Sequence, residues 1–143
     1  MPDILHEVTI NGSVDKIYEA ITTTHGLQSW WTFEATTEPT VGGVMAINFS
    51  VFDVHMKFTV DKLAAQHVTW TPTEGVPDWT GTHVTWDMTP TERGTKVLFG
   101  HRNFTTTDGS FAYTSFTWAW YLISLKELIE TGKGRPHNGD PTT

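Results

Sequence analysis

Residues 110–131 read SFAYTSFTWAWYLISLKELIET, a run of 22 residues without proline or glycine. Apolar residues recur in it every three or four positions, which is the period of one face of an α-helix. They are Trp118, Leu122, Leu125, Leu128 and Ile129, flanked by Phe111, Tyr121 and Ile123. At 1.5 Å per residue such a helix is about 33 Å long, enough to cross a whole sheet. Gly132 follows directly and is predicted to cap the helix.

The rest of the chain has mainly the two-residue period of β-strands. Residues 4–10 are predicted as the first strand, followed by short helices near residues 14–21 and 27–31. Further strands are predicted near residues 44–51, 54–63, 67–71, 80–89 and 95–102. The apolar stripe of the last helix needs a sheet to cover it. We therefore predict an α+β fold, in which an antiparallel sheet of about six strands curls around the C-terminal helix.

The last two strands form a predicted hairpin around residues 90–94. Their inward side chains are Val84, Trp86 and Met88 on one strand and Val97, Phe99 and His101 on the other. A five-residue loop would put these two sets out of step by one residue. We therefore expect a β-bulge at Gly94.

Length and composition limit the classes of protein. A chain of 143 residues is the size of one domain, 1–143, in which the segment 133–143 is expected to be a loosely ordered tail. Cysteine is absent, which excludes disulfides and favours a reducing, cytoplasmic location. A net charge of -7 disfavours nucleic acid as a partner. No apolar run is long enough to predict a membrane span.

Aromatic residues are unusually abundant, with seven Trp and eight Phe. Trp30 and Trp31 are adjacent, so we expect one in the core and the other near an opening. A curled sheet brings the inward rings of different strands together opposite the last helix, and rings in such numbers either fill a core or line a cavity. The predicted cavity residues are Trp31, Phe49, Phe58, Trp70, Trp86, Phe99, His101, Trp118 and Tyr121.

Several segments resemble a known family. They are Val8–Ile21, Trp30-Trp31, Gly42-Gly43, Gly94-Thr95, Trp118–Lys126, Glu130–Gly134 and Pro136. The chain resembles the SRPBCC, or START-like, helix-grip superfamily, and within it the bacterial homologues of the activator of the ninety-kilodalton heat-shock protein ATPase. This implies a helix-grip fold and, because members bind, carry or transform different hydrophobic molecules, a hydrophobic ligand. The eukaryotic activator contacts the chaperone through an additional N-terminal domain, which the residues before Ile4 could not supply. No chaperone partner is therefore expected.

The leading functional hypothesis is a carrier or sensor of a small, largely hydrophobic molecule. One alternative is a cyclase- or aromatase-like enzyme, in which His101 and Tyr121 would exchange protons with the substrate. Another is a protein-interaction module with an exposed patch at Trp30, Trp31 and Trp79. No catalytic residue, cofactor or metal ligand is assigned, and Asp53 with His55 is interpreted as a solvated strand edge. A homodimer and the identity of the ligand are left open.

Overall fold

A computed structural model describes residues 1–141 of the chain. Three helices and seven strands follow one another in this order: β1 (Ile4–Ile10), α1 (Val14–Thr22), α2 (Thr24–Trp30), β2 (Ala35–Thr37), β3 (Val44–Phe49), β4 (Val54–Ala64), β5 (His67–Glu74), β6 (His83–Thr91), β7 (Gly94–Arg102) and α3 (Phe111–Thr131). Two short 3₁₀ turns lie at Ser50–Phe52 and Pro77–Trp79. The α+β class with a long C-terminal helix is confirmed.

The strands form one curved antiparallel sheet in the order β1-β7-β6-β5-β4-β3-β2. Each strand pairs with its neighbour in sequence except β1, which pairs with β7. The expected number of about six strands was one too low, because β2 lies in a segment interpreted as a loop. With only three residues, β2 is too short for an alternating pattern to be recognised.

The β6–β7 hairpin does not contain the expected bulge. Trp86 pairs with Phe99, and the same register continues without a shift to the pair Thr91 and Gly94. The turn therefore has two residues instead of five, and the inward side chains face each other directly. Gly94 has a φ of 122°, and a Cβ atom there would overlap the carbonyl oxygen of Ile10. Register shifts occur instead between β4 and β5.

The junction between α1 and α2 also differs from the prediction. Ser13 caps α1 and accepts a hydrogen bond from the backbone of Lys16. The two helices were predicted near residues 14–21 and 27–31, which left His25 and Gly26 between them, but both residues lie inside α2, which begins at Thr24. A Cβ atom at position 26 would lie only 2.6 Å from the Cα atom of Ala20. Gly26 thus permits the close approach of the two helices.

Helix α3 packs one face against the sheet. Trp118, Leu122 and Leu125 are buried. Gly132 ends the helix with a φ of 87°, and its backbone N–H donates a hydrogen bond to the carbonyl of Leu128. Ile123, which was expected to flank the buried stripe, is instead 54% exposed. In residues 1–141 no helix combines the length and the apolar character that a membrane span requires.

The segment after α3 is attached to the domain, contrary to the loose tail that was expected. The backbone N–H of His137 donates to the carbonyl of Trp31, and its carbonyl accepts from the N–H of Phe33. The backbone N–H of Arg135 also donates to the hydroxyl of Ser124 on α3. Glycine and proline in this segment favour a turn, and they do not prevent backbone pairing. Residues 142–143 lie outside the described part.

Candidate ligand-binding site

Seven of the nine predicted site residues form one continuous group beneath α3, which we call the aromatic cluster. Its members are Trp31, Phe58, Trp70, Trp86, Phe99, His101 and Trp118, each at most 3% exposed. The ring centroids of Phe99 and Trp118 are 4.5 Å apart, and those of Trp31 and Trp118 are 5.0 Å apart. These distances are typical of rings in direct contact. The strands and α3 therefore bring the predicted rings together, and the rings fill much of the space between them.

Trp30 and Trp31 are both buried, so the expectation that one of them lies near an opening was wrong. Their rings are stacked with centroids 5.3 Å apart, and the Trp30 indole N–H donates to the carbonyl of Ala20 at 2.8 Å. Trp31 is the C-cap of α2; Trp30 contacts Trp86 and Trp31 contacts Trp118, so both sides of the helix end are covered. Trp79 is also buried, so the exposed patch that these three rings were expected to form does not exist.

Phe49 and Tyr121 belong to a second group and do not complete the aromatic cluster. Their centroids are 6.2 Å apart, and Phe49 also contacts the ring of His137 at 5.2 Å. Both are half-buried, and burial raises the pKa of Tyr121 to about 12. His137 was not predicted to take part, because its segment carries no periodic signal that would place it against β3.

His101 lies within a continuous chain of buried hydrogen bonds. The Trp118 indole N–H donates to Nδ1 of His101 at 3.1 Å. Nε2 lies 2.8 Å from the hydroxyl of Thr82, which itself donates to the carbonyl of Trp79 at 2.6 Å. This pattern assigns the ring proton to Nε2 and the lone pair to Nδ1. Both ring nitrogens of the neutral ring are therefore occupied.

The pKa of His101 is lowered to about 3, mainly by burial and also by the nearby His83, while Asp78 acts in the opposite direction. A second ring proton would sit on Nδ1 and face the Trp118 N–H, so the surroundings favour the neutral ring. The alternative in which His101 and Tyr121 together exchange protons with one substrate gains no support from this geometry. Tyr121 packs on Phe49, whereas His101 packs on Trp79, Phe104 and Trp118.

Trp79 belongs to the site although it was not among the predicted cavity residues. Its centroid lies 4.9 Å from that of His101 and 6.1 Å from that of Phe58. Trp79 also lines a surface depression of about 180 Å³, together with the surrounding segment 72–81 except Asp78. Trp79 thus contacts members of the aromatic cluster and borders this depression. It lies in a 3₁₀ turn, where strand periodicity gives no signal.

Two side-chain contacts fasten this turn to the start of α3. The Trp79 indole N–H donates to the hydroxyl of Thr114 at 3.2 Å. The carboxylate of Asp78 accepts from the backbone N–H and the hydroxyl of Ser110, each at 2.8 Å. Burial alone would raise the pKa of Asp78, but the hydrogen bonds from Ser110 outweigh it and hold the pKa below its usual range. The turn is flanked by Gly75 and Gly81, which have φ values of 121° and 82°.

Trp86 carries an unsatisfied polar atom at the centre of the cluster. Its side chain is fully buried, and its indole N–H has no hydrogen-bond partner. Buried donors are nearly always paired, because an unpaired donor costs about 1–3 kcal/mol. An acceptor placed near this atom would therefore bind favourably.

The described residues offer no metal site, since no three His, Asp or Glu side chains among residues 1–141 are grouped suitably. Asp53 and His55 lie 3.4 Å apart with both side chains more than half exposed, as at a solvated edge. The site is therefore almost entirely aromatic, and its polar features are indole N–H groups, hydroxyls and one neutral imidazole.

A family model described as activator of Hsp90 ATPase homolog 1-like protein matches residues 11–130. The solution structure of the Aha1 dimer from Colwellia psychrerythraea is 34% identical in sequence, with a TM-score of 0.86. The alignment covers 94% of this chain and 100% of that one. No curated protein matches the chain.

More distant solved structures share the fold. The crystal structure of SSP2350 from Staphylococcus saprophyticus is 18% identical with a TM-score of 0.79, covering 97% of this chain and 100% of that one. The crystal structure of CalU16 from Micromonospora echinospora is 19% identical with a TM-score of 0.73, covering 93% of this chain and 76% of that one. At these identities the likeness extends to the fold alone.

Proposed function

This chain belongs to the family of activator of Hsp90 ATPase homolog 1-like proteins, and from that premise we propose that it binds a small, largely hydrophobic molecule between the sheet and α3. The observation that carries the proposal is the contiguous aromatic cluster, with the unpaired Trp86 N–H at its centre. Rings supply apolar surface and stacking, and a single donor would orient a ligand that carries one acceptor. The protein would act as a carrier or sensor of this molecule.

A ligand needs more room than the closed arrangement offers. Pockets for small molecules commonly measure about 300–1,000 Å³, whereas the depression beside Trp79 has about 180 Å³. We infer that Trp79 moves aside when the ligand binds, which would join this depression to the cluster. The flanking glycines allow the turn to change its backbone angles, and only the contacts to Ser110 and Thr114 fasten it to α3.

Replacing Trp79 by alanine is expected to tighten the binding of the fluorescent apolar probe N-phenyl-1-naphthylamine roughly 10- to 100-fold. If the site is open in only about 1–10% of wild-type molecules, the apparent affinity is about 10- to 100-fold weaker than that of the open site. The variant has no Trp79 ring to move aside, so it avoids this loss. Fluorescence titration measures the affinity, and circular dichroism checks that the variant is folded. Trp120→Ala is the matched control, because it removes an exposed ring from the outer face of α3.

Two results would count against the ligand proposal. The first is that neither the wild type nor Trp79→Ala binds the probe. The second is that native mass spectrometry of freshly purified protein shows only the bare chain, and that no hydrophobic compound can be extracted from it. Equal affinities in the two proteins would reject only the proposed movement of Trp79 and would leave the ligand proposal standing.

The role of Trp86 can be tested with a pair of ligands that differ in one carbonyl group. We expect the wild type to prefer 1-acetylnaphthalene over 1-ethylnaphthalene about 5- to 30-fold more strongly than Trp86→Phe does. The ketone can accept the buried N–H, and a phenylalanine ring has no such donor. Calorimetric titration of both ligands into both proteins gives the four affinities. An unchanged preference in the variant would show that Trp86 does not contact the acceptor.

We also propose that the chain forms a homodimer, because the related Colwellia psychrerythraea protein is described as a dimer. Activation of a chaperone ATPase is not part of this proposal. That activity is named in the description of the family and rests on no contact or surface described above.

A further inference from the structure

The outer face of α3 carries four large apolar side chains in a row. They are Tyr113, Phe116, Trp120 and Ile123, exposed by 72%, 68%, 47% and 54%. We call this row the outer stripe. Its spacing of three, four and three residues is that of one seam of a coiled coil. It lies on the side of the helix opposite Trp118, Leu122 and Leu125, which are buried.

The charge distribution sets this face apart from the rest of the surface. Residues 109–125 contain no charged side chain, although the whole chain has 25 Asp, Glu, Lys and Arg residues (9 + 16). Surface helices normally carry charged residues on the side that faces water. An uncharged and largely aromatic outer face therefore indicates a surface that becomes covered.

Resting on the homodimer proposed above, we propose that the outer stripe is the dimer interface, with the α3 helices of two copies packed antiparallel about a twofold axis. The axis would pass near position 118, which places Phe116 opposite Trp120 of the second copy and Tyr113 opposite Ile123. A seam without charges also places no like charges in direct contact across the axis, although each chain carries a net charge of -7.

A membrane surface is the less favoured occupant. Helices that lie on anionic membranes carry Lys and Arg beside their apolar face. Here the nearest charged residues are Asp108, Lys126 and Glu127, and Lys126 is held by the carbonyl of Thr9 and by Glu130. A chain of net charge -7 is repelled by anionic lipid.

The exposed area of the stripe predicts a weak dimer. Aromatic side chains bury about 150–250 Å² each when fully covered, so the exposed parts of the stripe supply roughly 400–500 Å² per copy. The pair would bury about 1,000 Å², near the lower limit for a specific interface. We therefore expect a dissociation constant of about 10–100 µM.

Sedimentation equilibrium over protein concentrations from about 1 µM to 1 mM tests the interface. We expect the wild type to dimerise and Phe116→Glu to weaken the dimer at least 30-fold, because the charge would be buried against Trp120 of the second copy. Phe33→Glu is the matched control, since Phe33 is 58% exposed and lies outside α3. It should dimerise like the wild type, and both variants should melt within about 2 °C of it, because each changes an exposed side chain.

Cysteine variants test the antiparallel arrangement, because the chain has no thiol of its own. A mixture of Tyr113→Cys and Ile123→Cys is expected to form a disulfide between copies more readily than either variant alone. In this arrangement two Tyr113 positions are about 15 Å apart along the helix axis, too far for a disulfide. Faster crosslinking of Tyr113→Cys with itself would overturn the arrangement.

The remaining outcomes separate this inference from the proposals on which it rests. A wild type that stays monomeric at 1 mM would reject both the dimer and its interface. Dimerisation of Phe116→Glu with unchanged affinity would reject the outer stripe and leave the dimer standing. Binding of the monomeric wild type to phosphatidylglycerol vesicles would instead identify the stripe as a membrane surface. None of these outcomes depends on probe binding, which tests the ligand proposal.

Discussion

Replacing Leu125 by alanine is expected to lower the free energy of unfolding by about 2–5 kcal/mol, the range measured when large apolar side chains are removed from protein cores. Leu125 is fully buried on the face of α3 that packs inward with Trp118 and Leu122. The truncation leaves a cavity in a closely packed interior, which the surrounding structure can relax into only in part. Urea unfolding followed by circular dichroism at a low protein concentration of about 1 µM measures the change in the monomer.

The control for this prediction is Ile123→Ala in the same helix. Ile123 is 54% exposed, so its truncation should change the free energy of unfolding by no more than about 0.5 kcal/mol. A loss below about half a kcal/mol for Leu125→Ala as well would show that both faces of α3 are exposed. The packing of the helix on the sheet would then be wrong.

Acidification is expected to destabilise the protein through His101. The ring has an ordinary pKa of 6.5 in the unfolded chain and about 3 in the folded protein. Between these values the unfolded chain binds more protons, so the stability falls as the pH falls. A difference of about 3.5 in pKa, at about 1.36 kcal/mol for each unit, corresponds to on the order of 5 kcal/mol. This stabilisation is complete above about pH 6.5 and is lost towards pH 3.

Urea unfolding at a series of pH values, with the wild type and His101→Asn, isolates this contribution. Asparagine carries one acceptor and a donor, as the neutral ring does, but it does not titrate. Glu34, Asp78 and Glu130, whose pKa values are lowered in the fold, lose stabilisation at acid pH in both proteins. The difference in slope between pH 6.5 and 4 should therefore come from His101. Parallel profiles would show that the ring is protonated inside the fold.

The overall fold was predictable because its long elements have clear periods. The α3 helix and strands β1 and β4 carry enough residues for the apolar pattern to fix both type and orientation. Strand β2, with three residues, has no measurable period. The predicted register of the β6–β7 hairpin was wrong because the loop was taken as five residues. In the structure Pro90 and Thr91 still pair with β7. Backbone hydrogen bonds there depend on partners that local sequence does not reveal.

The residues of the site could be predicted only where a strand or helix period shows which side chains point inward. Inward positions on β4 to β7 and on α3 identified the rings that meet in the aromatic cluster. Trp79 and His137 lie in segments without a period, so nothing local indicated that they pack inward. Trp30 and Trp31 were misjudged for another reason, because both sides of the end of α2 are covered: Trp30 contacts Trp86, and Trp31 contacts Trp118. The hydrogen bond between Thr82 and His101 joins residues that are far apart in the sequence, and no helix or strand period predicts that they meet.

The pairing of β1 with β7 governs when the sheet can be completed. Ile4 lies opposite His101 and Ile10 opposite Thr95, so partners are 97 and 85 positions apart in sequence (101 − 4 and 95 − 10). Contacts between such distant residues form late, and domains dominated by them fold in milliseconds to seconds. During synthesis the first strand emerges long before its partner exists. Until β7 has been made, β1 has no neighbour in the sheet, and the growing chain is most open to aggregation in that interval.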